Sequence, residues 1–490
     1  MRLATLLKEI EHRPMRDAWY DVDVCDVVCD SRRVRPGCLF VCIPGLVSDG
    51  HAFAQDAVSK GAAALLVTHE LPLDVPQVVV NDARDALAAI SAAFFGDGSA
   101  RMQVVGITGT AGKTTVAHMV EHIVREAGGR PGLIGTTGCR FAGNQVPTTF
   151  TTPLARDLQE LLGHMADAGC NVAALEVSSH AILTRRCART HFAVTAFTNL
   201  SREHLELHKT MEDYFATKAR FLVQGDAQAR VVCAMDEGGR RLARLLRKSG
   251  QPYYEVSTDA AAQVRLQSYT PRGLDGGLVE AKVCGMHVSM ELRLPGDFNA
   301  RNALVAIGIA NALGLDPGSS ARALEGFVGA PGRMERIREA DEQGLCVLVD
   351  YAHTPVELSG AIRVTRASTN GRLAVVFGYG GACDPGNRPL MGHIAAEADL
   401  AVVTSDNPLF EDPQQIARQI VAGMGERPSR AIVRIDRREA IREALMWARP
   451  GDTVLIAGKG HEQTQTTGHV TMPFDDRVVA REELARLVTC

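Results

Sequence analysis

The chain has 490 residues, of which 46% are hydrophobic and 22% charged, with a formal net charge of −4. This length predicts about three domains with ample core, and this charge excludes the broad basic face that nucleic-acid binding requires. Lys8, Glu9 and Glu11 interrupt the first residues, and apolar runs of about 18 residues do not occur. We therefore expect a cytoplasmic protein with neither a signal peptide nor a membrane-spanning helix.

Residues 1–99 are predicted to form an N-terminal α/β domain. Its expected elements are strands at 39–43, 63–67 and 77–80 and a helix at 85–95. The Gly-rich polar stretch at 95–102 places the domain boundary near residue 99. The chain has 12 cysteines, and the absence of paired C-x2-C spacing argues against a zinc site. Cys38 and Cys42 lie in an apolar run, so we expect them to be small core residues.

Two further domains are predicted, at residues 100–332 and 333–490. In the first, strands are expected at 103–107, 172–175 and 194–197, a β-rich stretch at 252–294, and helices at 113–127 and 299–312. In the second, strands are expected at 345–349, 373–377, 400–404 and 453–457, with helices between them. Strands that alternate with helices indicate mostly parallel sheets.

Most of the strands predicted after residue 100 end in a polar, Gly- or Asp-containing string. The strings are ITGTAGKTT, LEVSSH, FTNLSREH, VDYAHTP, FGYGG, TSDNP and AGKGHE. Ligands of open α/β sheets bind outside the carboxyl ends of the strands. The chemistry is therefore expected along these edges, between two domains.

The strongest local signal is a glycine-rich loop between a predicted strand and a predicted helix. It consists of Gly109, Thr110, Ala111, Gly112, Lys113, Thr114 and Thr115. Backbone N–H groups of such a loop bind phosphate oxygens, while Lys113 would neutralise the β- and γ-phosphates of ATP and the Thr114 hydroxyl would bind Mg²⁺. The strict P-loop pattern has glycine where Ile107 stands. The fold class is thus α/β in three domains, with a central P-loop parallel-sheet ATPase domain and a C-terminal doubly wound (Rossmann-like) domain.

Two further candidates for metal binding and catalysis follow strand ends. Glu176 ends the predicted strand VAALE, where a carboxylate suits a metal ligand that faces the γ-phosphate. His204 lies in NLSREHLELH, directly after another strand. Each residue taken alone also fits a structural role, since strand-end glutamates are often solvated and lone histidines are often structural.

The ordered set of motifs resembles the Mur ligase family. It comprises GTAGKTT, LEVSSH, FTNLSREHLELH, DYFATKARFL, LPGDFNARNAL, APGRMERI and VDYAHTP, and it extends over roughly residues 25–480. DSRRVRPGCLFVCIPG near the start and GKGHEQTQ near the end resemble the type of Mur ligase that adds the third residue of the peptide.

The resemblance implies roles for further residues. Lys218, which alone would be an ordinary solvated helix lysine, matches the family lysine that is carried as a carbamate and helps to bind a second Mg²⁺. Asn302 matches an adenine contact, and Arg333 and Asp350 match nucleotide contacts of the C-terminal domain. Ser31, with the turn at 46–48, matches the uracil and pyrophosphate site. Contacts to the muramoyl-dipeptide are implied for Thr151, Thr152, Ser178 and Arg186, while the family glutamine between the last two is replaced by Thr184.

The implied reaction is an ATP-dependent ligation. ATP phosphorylates the terminal carboxylate of UDP-MurNAc-L-Ala-D-Glu, and the amine of a diamino acid attacks the acyl-phosphate, with two Mg²⁺ ions as cofactors. A monomer without nucleic-acid partners is expected. Folylpolyglutamate synthetases share the architecture but begin at the P-loop domain, whereas a DSR segment precedes it here. A non-catalytic nucleotide-binding protein is disfavoured by the joint presence of Lys113, Thr114, Glu176, His204 and Lys218.

The added amino acid is inferred from two departures from the family pattern. Ligases that use meso-diaminopimelate carry Asp-Asn-Pro-Arg, but here Leu409 follows Asp406, Asn407 and Pro408, and Cys383 replaces a second arginine. Asp406 and Glu462 remain as partners for a distal amine, with Gly458 beside them, so L-lysine or L-ornithine is expected. The alternative is that Arg388 or another nearby group moves in and meso-diaminopimelate is used.

Overall fold

Each of the three predicted segments builds its own sheet in the computed structural model, which describes residues 1–45, 48–425 and 430–488. Of the predicted turn at 46–48, Leu46 and Val47 lie outside the described residues. Within the described part of the chain, no helix is long and apolar enough to cross a membrane.

The N-terminal unit has four parallel strands in the order β1-β2-β3-β4, buried on both faces as their continuous apolar runs require. The strands are β1 (Asp26–Val28), β2 (Cys38–Val41), β3 (Ala64–Val67) and β4 (Gln77–Val79). The helices are α1 (Leu3–Leu6), α2 (Asp17–Tyr20), α3 (Ala54–Ser59), α4 (Ala83–Phe95) and α5 (Gly98–Arg101), with 3₁₀ turns at Ser31–Arg33 and Gly50–Phe53. Cys38 and Cys42 are fully buried in the core, as predicted.

The central unit is an 11-stranded sheet in the order β15-β14-β13-β12-β11-β10-β5-β9-β6-β7-β8. Its strands are β5 (Gln103–Thr108), β6 (Pro131–Gly135), β7 (Gly138–Phe141), β8 (Asn144–Val146), β9 (Val172–Glu176), β10 (Phe192–Phe197), β11 (Ala227–Cys233), β12 (Tyr254–Ser257), β13 (Val264–Pro271), β14 (Gly277–Val283) and β15 (Met286–Leu292). The seven strands in the middle of this order are parallel, namely β13, β12, β11, β10, β5, β9 and β6. Antiparallel strands extend the sheet at both ends.

Helices cover both faces of the central sheet. They are α6 (Lys113–Glu126), α7 (Ala155–Asp167), α8 (Ser179–Leu183), α9 (Leu205–His208), α10 (Met211–Val223), α11 (Glu237–Lys248), α12 (Asp297–Ala312) and α13 (Pro317–Glu325), with a 3₁₀ turn at Gly273–Asp275. Apolar side chains of α6 and α12 fill the core on one face, and those of α7, α10 and α11 fill it on the other.

The C-terminal unit contains a six-stranded sheet in the order β16-β17-β21-β18-β19-β20, parallel except for β16, and a separate antiparallel pair, β22-β23. Its elements are β16 (Glu335–Arg336), β17 (Cys346–Asp350), α14 (Pro355–Ser368), β18 (Leu373–Phe377), α15 (Asn387–Ala395), β19 (Leu400–Val403), α16 (Pro413–Ala422), β20 (Arg430–Val433), α17 (Arg437–Trp447), β21 (Thr453–Ala457), β22 (Thr464–Thr467), β23 (Val470–Pro473) and α18 (Asp476–Val488), with a 3₁₀ turn at Arg338–Gln343. Helices α14 to α16 pack on one face and α17 and α18 on the other. This is the predicted doubly wound arrangement, and the α/β class is confirmed.

The carboxyl ends of the central and C-terminal sheets approach each other. The Nε2 atom of His461, in the loop after β21, lies 3.1 Å from the carbonyl oxygen of Thr136, in the loop after β6. The guanidinium of Arg333 lies 3.4 Å from the hydroxyl of Thr114 at the start of α6. The loops that the sequence singled out therefore face one another between two units.

Candidate functional site

The glycine-rich loop joins β5 to α6, as predicted. Gly109 and Gly112 have φ angles of 149° and 83°, and a Cβ at Gly112 would lie 2.5 Å from the side-chain oxygen of Asn302. Glycine is therefore required at position 112 both by its backbone conformation and by the close approach of α12. The ammonium group of Lys113 folds back over the loop and donates to the carbonyl oxygens of Gly109 and Thr110, at 2.9 and 2.7 Å.

Glu176 is fully buried at the carboxyl end of β9, where three donors hold its carboxylate. Thr114 donates from its hydroxyl at 2.8 Å, and Thr136 donates from its amide at 2.9 Å and its hydroxyl at 3.0 Å. A Cβ at Gly135 would lie 2.1 Å from the carboxylate oxygen Oε1. Sequence reasoning missed Gly135 and Thr136, because the strand β6 that ends at Gly135 was not predicted.

A cavity of about 530 Å³ brings together many of the predicted residues. Its lining includes Thr110, Ala111, Gly112, Lys113, Thr114, Thr151, Glu176, Ser178, Arg186, His204 and Arg333. The side chain of His204 is 46% exposed and lies 3.5 Å from that of Glu203. The phosphate loop and the residues that the family resemblance assigns to the peptide thus share one open space.

His353 also lines this cavity, and sequence reasoning did not single it out. Its ring lies 3.2 Å from the carboxylate of Glu357 on α14 and 4.0 Å from that of Glu203 in the central unit. Burial works against protonation, but the two carboxylates raise the pKa of His353 above its ordinary value. A protonated His353 would bridge acidic groups of two units.

A second cavity of about 310 Å³ adjoins the first at the loop and at Arg333. Its lining includes Ala111, Gly112, Thr115, Asn302, Arg333 and Asp350, with Phe298 and Val305 as apolar walls. The carboxylate of Asp350 accepts from the backbone amides of Met334 and Ala352, at 2.7 and 2.8 Å, while burial raises its pKa. A mostly apolar pocket beside a phosphate loop suits a purine base.

Lys218 lies on α10 behind the loop and is 1% exposed. Its ammonium group donates to the Gly109 carbonyl at 2.8 Å and lies 4.6 Å from the centre of the Tyr214 ring. Burial, reinforced by the charge of Lys113, holds the pKa of Lys218 well below its ordinary value. The expectation that such a lysine, taken alone, is solvated is therefore wrong, because its position on α10 faces the interior.

Two of the residues assigned to the UDP-linked substrate, Thr152 for its muramoyl-dipeptide and Ser31 for its uracil and pyrophosphate, are placed differently from the rest. The hydroxyl of Thr152 is fully buried, donates to the Glu176 carbonyl at 2.7 Å and accepts from the Ser178 amide at 3.0 Å. It is therefore committed to the backbone. Ser31 lies apart in the N-terminal unit, where its carbonyl accepts from Lys60 at 3.0 Å. Arg186, in contrast, reaches the 530 Å³ cavity and donates to the Thr152 carbonyl at 2.9 Å.

The four residues assigned to the added amino acid form one cluster at the carboxyl edge of the C-terminal sheet. Asn407 donates to Glu462 at 2.8 Å, and a Cβ at Gly458, whose φ is 113°, would lie 2.8 Å from the Asp406 carboxylate. The fully buried Lys459 donates to Glu462 at 2.7 Å and lies 3.8 Å from Asp406. Lys459 therefore already neutralises part of the negative charge of Asp406 and Glu462, which sequence reasoning did not take into account.

The two positions where the family pattern has arginine lie at the same edge. Leu409 is half-buried with a φ of 53°, and Cys383 is exposed. Arg388 is 2% exposed and donates to Gln419 at 2.7 Å and to Glu411 at 2.8 Å. Because the guanidinium of Arg388 is itself buried and already bonded to Gln419 and Glu411, the structure favours a structural role for this arginine.

The fold and this site define a P-loop nucleotide-binding protein of three α/β domains. The chain matches three family descriptions in order: "Mur ligase family, catalytic domain" over residues 24–95, "Mur ligase middle domain" over 107–310, and "Mur ligase, glutamate ligase domain" over 332–460. The chain belongs to the Mur ligase family and, within it, to the MurE type.

Similar proteins agree with this assignment along the whole chain. A protein of Gloeobacter violaceus, named UDP-N-acetylmuramoyl-L-alanyl-D-glutamate--2,6-diaminopimelate ligase, is 40% identical over 477 residues, or 95% of each chain. A solved structure that carries the same ligase name is 30% identical with a TM-score of 0.70 and covers 100% of this chain and 99% of its own. The MurF ligase of Thermotoga maritima in complex with ADP, 18% identical with a TM-score of 0.63 over 96% and 98% of the two chains, shares the fold.

Proposed function

We propose that this chain is an ATP-dependent ligase that joins meso-diaminopimelate to the D-glutamate of UDP-MurNAc-L-Ala-D-Glu. The observation that carries the proposal is the shared cavity, in which the phosphate loop, Glu176 and Arg186 surround one space. The full-length relatives named for this reaction support it. We also propose domain boundaries near residues 99 and 332. A cytoplasmic location is proposed as well, since it fits the use of ATP.

ATP is proposed to bind across the two cavities. Asn302 and the apolar walls would hold the adenine, Arg333 and Asp350 would hold the nucleotide from the C-terminal unit, and the loop residues 109–115 would hold the phosphates. The pyrophosphate and uracil of the second substrate are assigned to Ser31 in the N-terminal unit.

The oxygen donors at the phosphate loop determine whether the site can hold Mg²⁺. Among the described residues, no group of three or more His, Cys, Asp or Glu side chains is arranged to hold a metal. The Thr114 hydroxyl and the Glu176 carboxylate, 2.8 Å apart, nevertheless fit Mg²⁺, which binds through one or two protein oxygens together with phosphate oxygens and water. His204 and a carbamate on Lys218 are proposed for a second ion. Bound Mg²⁺ would neutralise negative charge on the phosphates.

The protein's own groups would then position two steps. The γ-phosphoryl group of ATP passes to an oxygen of the D-glutamate carboxylate and ADP leaves, while Lys113 and the loop amides stabilise the charge on the phosphoryl oxygens. The incoming amine attacks the acyl carbon, loses a proton, and inorganic phosphate leaves. Arg333 and His353 contact the central unit from the C-terminal one, so closure of these units would exclude water from the acyl-phosphate.

Carbamylation of Lys218 is proposed from its environment. A carbamate forms when a neutral amine attacks carbon dioxide and loses a proton. Burial and the Lys113 charge lower the pKa of Lys218, and so favour the neutral amine. The resulting anion would relieve the repulsion between the two lysines.

meso-Diaminopimelate is preferred over L-lysine and L-ornithine because the full-length relatives carry its name and because Lys459 reduces the negative charge of the cluster. Leu409 and Cys383 replace the family arginines and so favour L-lysine or L-ornithine. These two amino acids are therefore the competing outcome of the test. The test is an incubation with ATP, UDP-MurNAc-L-Ala-D-Glu and equal concentrations of the three amino acids, with products identified by mass spectrometry. A higher kcat/KM for L-lysine or L-ornithine would overturn the preference but not the ligase activity.

A further inference from the structure

We propose that His461 is a positioning residue that fixes the Glu176 carboxylate through Thr136, so that binding of the amino acid strengthens binding of the metal ion. The inference rests on the proposed function, because it takes Glu176 to be a metal ligand and the loop of Gly458 and Glu462 to be the amino-acid site. The inference goes beyond that function because it adds a residue, His461, that connects the metal site with the amino-acid site.

Thr136 occupies the centre of this connection because its backbone and side chain contact both units. Its amide and hydroxyl donate to the two carboxylate oxygens of Glu176, at 2.9 and 3.0 Å. Its carbonyl accepts from the Nε2 atom of His461 in the C-terminal unit, at 3.1 Å. A shift of the Thr136 carbonyl therefore moves a residue that supplies two of the three donors around the buried carboxylate.

The protonation state of His461 follows from this contact. A carbonyl oxygen only accepts, so Nε2 must carry the proton, and burial together with the Arg333 charge lowers the pKa of His461 to about 4. The ring is therefore neutral near pH 7 and donates through Nε2. The Nδ1 atom is buried and has no hydrogen-bond partner within residues 1–45, 48–425 and 430–488. The contact with Thr136 is thus the hydrogen bond that orients the ring.

Close packing fixes where the His461 loop can lie. A Cβ at Gly332 would lie 2.1 Å from the backbone nitrogen of His461, and a Cβ at Gly460 would lie 2.6 Å from the Gly332 carbonyl. The His461 ring also packs against that of Tyr351, with centroids 4.9 Å apart. The linker between units, the loop after β17 and the loop after β21 thus meet at this histidine.

His461 directly precedes Glu462, whose carboxylate is held by Asn407 and Lys459. An amino acid that engages Glu462 would add a further contact to this loop and so hold the His461 donor more firmly against the Thr136 carbonyl. Coupling between two binding sites is reciprocal, so the metal ion should strengthen amino-acid binding by the same factor. One hydrogen bond of this kind is worth roughly a 2- to 10-fold change in affinity.

The test measures Mn²⁺ binding by electron paramagnetic resonance without turnover. The full chain is saturated with AMP-PNP and UDP-MurNAc-L-Ala-D-Glu, and the Mn²⁺ dissociation constant is measured with and without the amino acid that gives product. In the wild type, the amino acid should tighten Mn²⁺ binding about 2- to 10-fold. His461→Phe, which keeps a ring but has no donor, should abolish this change.

Two further variants separate the hydrogen bond from general packing. His461→Gln carries a donor at a reach similar to Nε2 and should keep most of the coupling, while the shorter His461→Asn should lose it. His122→Phe is the matched control, since its Nε2 atom contacts the Ala323 carbonyl at 2.9 Å within the central unit. It should leave the coupling unchanged.

The outcomes distinguish this inference from the proposed function. A wild-type chain that forms no tripeptide product defeats the proposed function and the inference with it. A productive wild type without coupling, or His461→Phe and His461→Asn variants with wild-type coupling, overturns the role of His461 alone. If His461→Phe does not fold, the comparison of His461→Gln with His461→Asn decides.

Discussion

Replacing Gly135 with alanine places a methyl group against the carboxylate of Glu176. A Cβ at this position would lie 2.1 Å from Oε1, whereas real contacts under 3.0 Å essentially do not occur. The carboxylate must therefore retreat by about 0.9 Å, the difference between these two distances. The backbone at Gly135 is constrained by its pairing with Gly138 of β7, so the side chain of Glu176 is the part that moves.

The expected loss follows from the geometry of Glu176. A retreat of this size would stretch its hydrogen bonds to Thr114 and Thr136, at 2.8 and 2.9 Å. Misplacement of a reacting or positioning group by about 1 Å lowers rates roughly 100-fold. We therefore expect kcat to fall about 100-fold and the Mg²⁺ concentration for half-maximal rate to rise. Nucleotide affinity should change little, because Asn302 and the apolar pocket are untouched.

The assay is steady-state phosphate release over a Mg²⁺ titration, with circular dichroism to verify folding. Gly318→Ala on α13 is the matched control, since its added Cβ would meet its nearest neighbour at an ordinary 3.4 Å. A change of about threefold is well below the loss of about 100-fold expected for such misplacement. If Gly135→Ala folds and keeps both kcat and its Mg²⁺ dependence within about threefold of the wild type, the proposed role of the Glu176 carboxylate is refuted.

Other residues give independent tests. Lys113→Ala should fold and lose at least about 100-fold in kcat, measured by phosphate release, and near wild-type turnover would contradict its role. Lys218→Ala should be nearly inactive and partly rescued by added acetate, while crystallographic density that shows an unmodified Lys218 ammonium in a fully active protein would contradict the carbamate. Burial, and then the charge of Arg140, lower the pKa of His118 to about 3. Between that pH and the ordinary pKa of histidine, near 6.5, His118 is protonated in the unfolded chain but not in the native one. Resistance to urea should therefore fall as the pH drops from 6.5 towards 3, and His118→Gln should flatten this dependence; an unchanged slope would contradict it.

The edge of the parallel sheet explains why much of the site could be predicted. Lys113 lies in the loop after β5 and Glu176 ends the neighbouring strand β9, and parallel strands bring their carboxyl ends to one edge. Patterns of apolar residues locate such strands without any knowledge of packing. The predicted strand, loop and helix around the phosphate loop are confirmed by β5 and α6.

Contacts that depend on packing between elements could not be predicted in this way. Thr136 lies in an ordinary-looking turn, and only the approach of β6 to β9 shows that it holds Glu176. Lys218 has the sequence surroundings of an exposed helix lysine, yet α10 turns it inward. Lys459 lies in a recognised motif, but its charge pairing with Asp406 appears only when the loops after β19 and β21 meet.

The central claim is that ATP cleavage is tied to ligation of an amino acid to UDP-MurNAc-L-Ala-D-Glu. Inorganic phosphate release by the purified chain measures this directly, with ATP and Mg²⁺ present and each other substrate omitted in turn. We predict sustained release only when both UDP-MurNAc-L-Ala-D-Glu and a diamino acid are present, with one phosphate released for each tripeptide formed. Phosphate release that is independent of the UDP-linked dipeptide, or that requires a folate substrate in its place, would contradict the account.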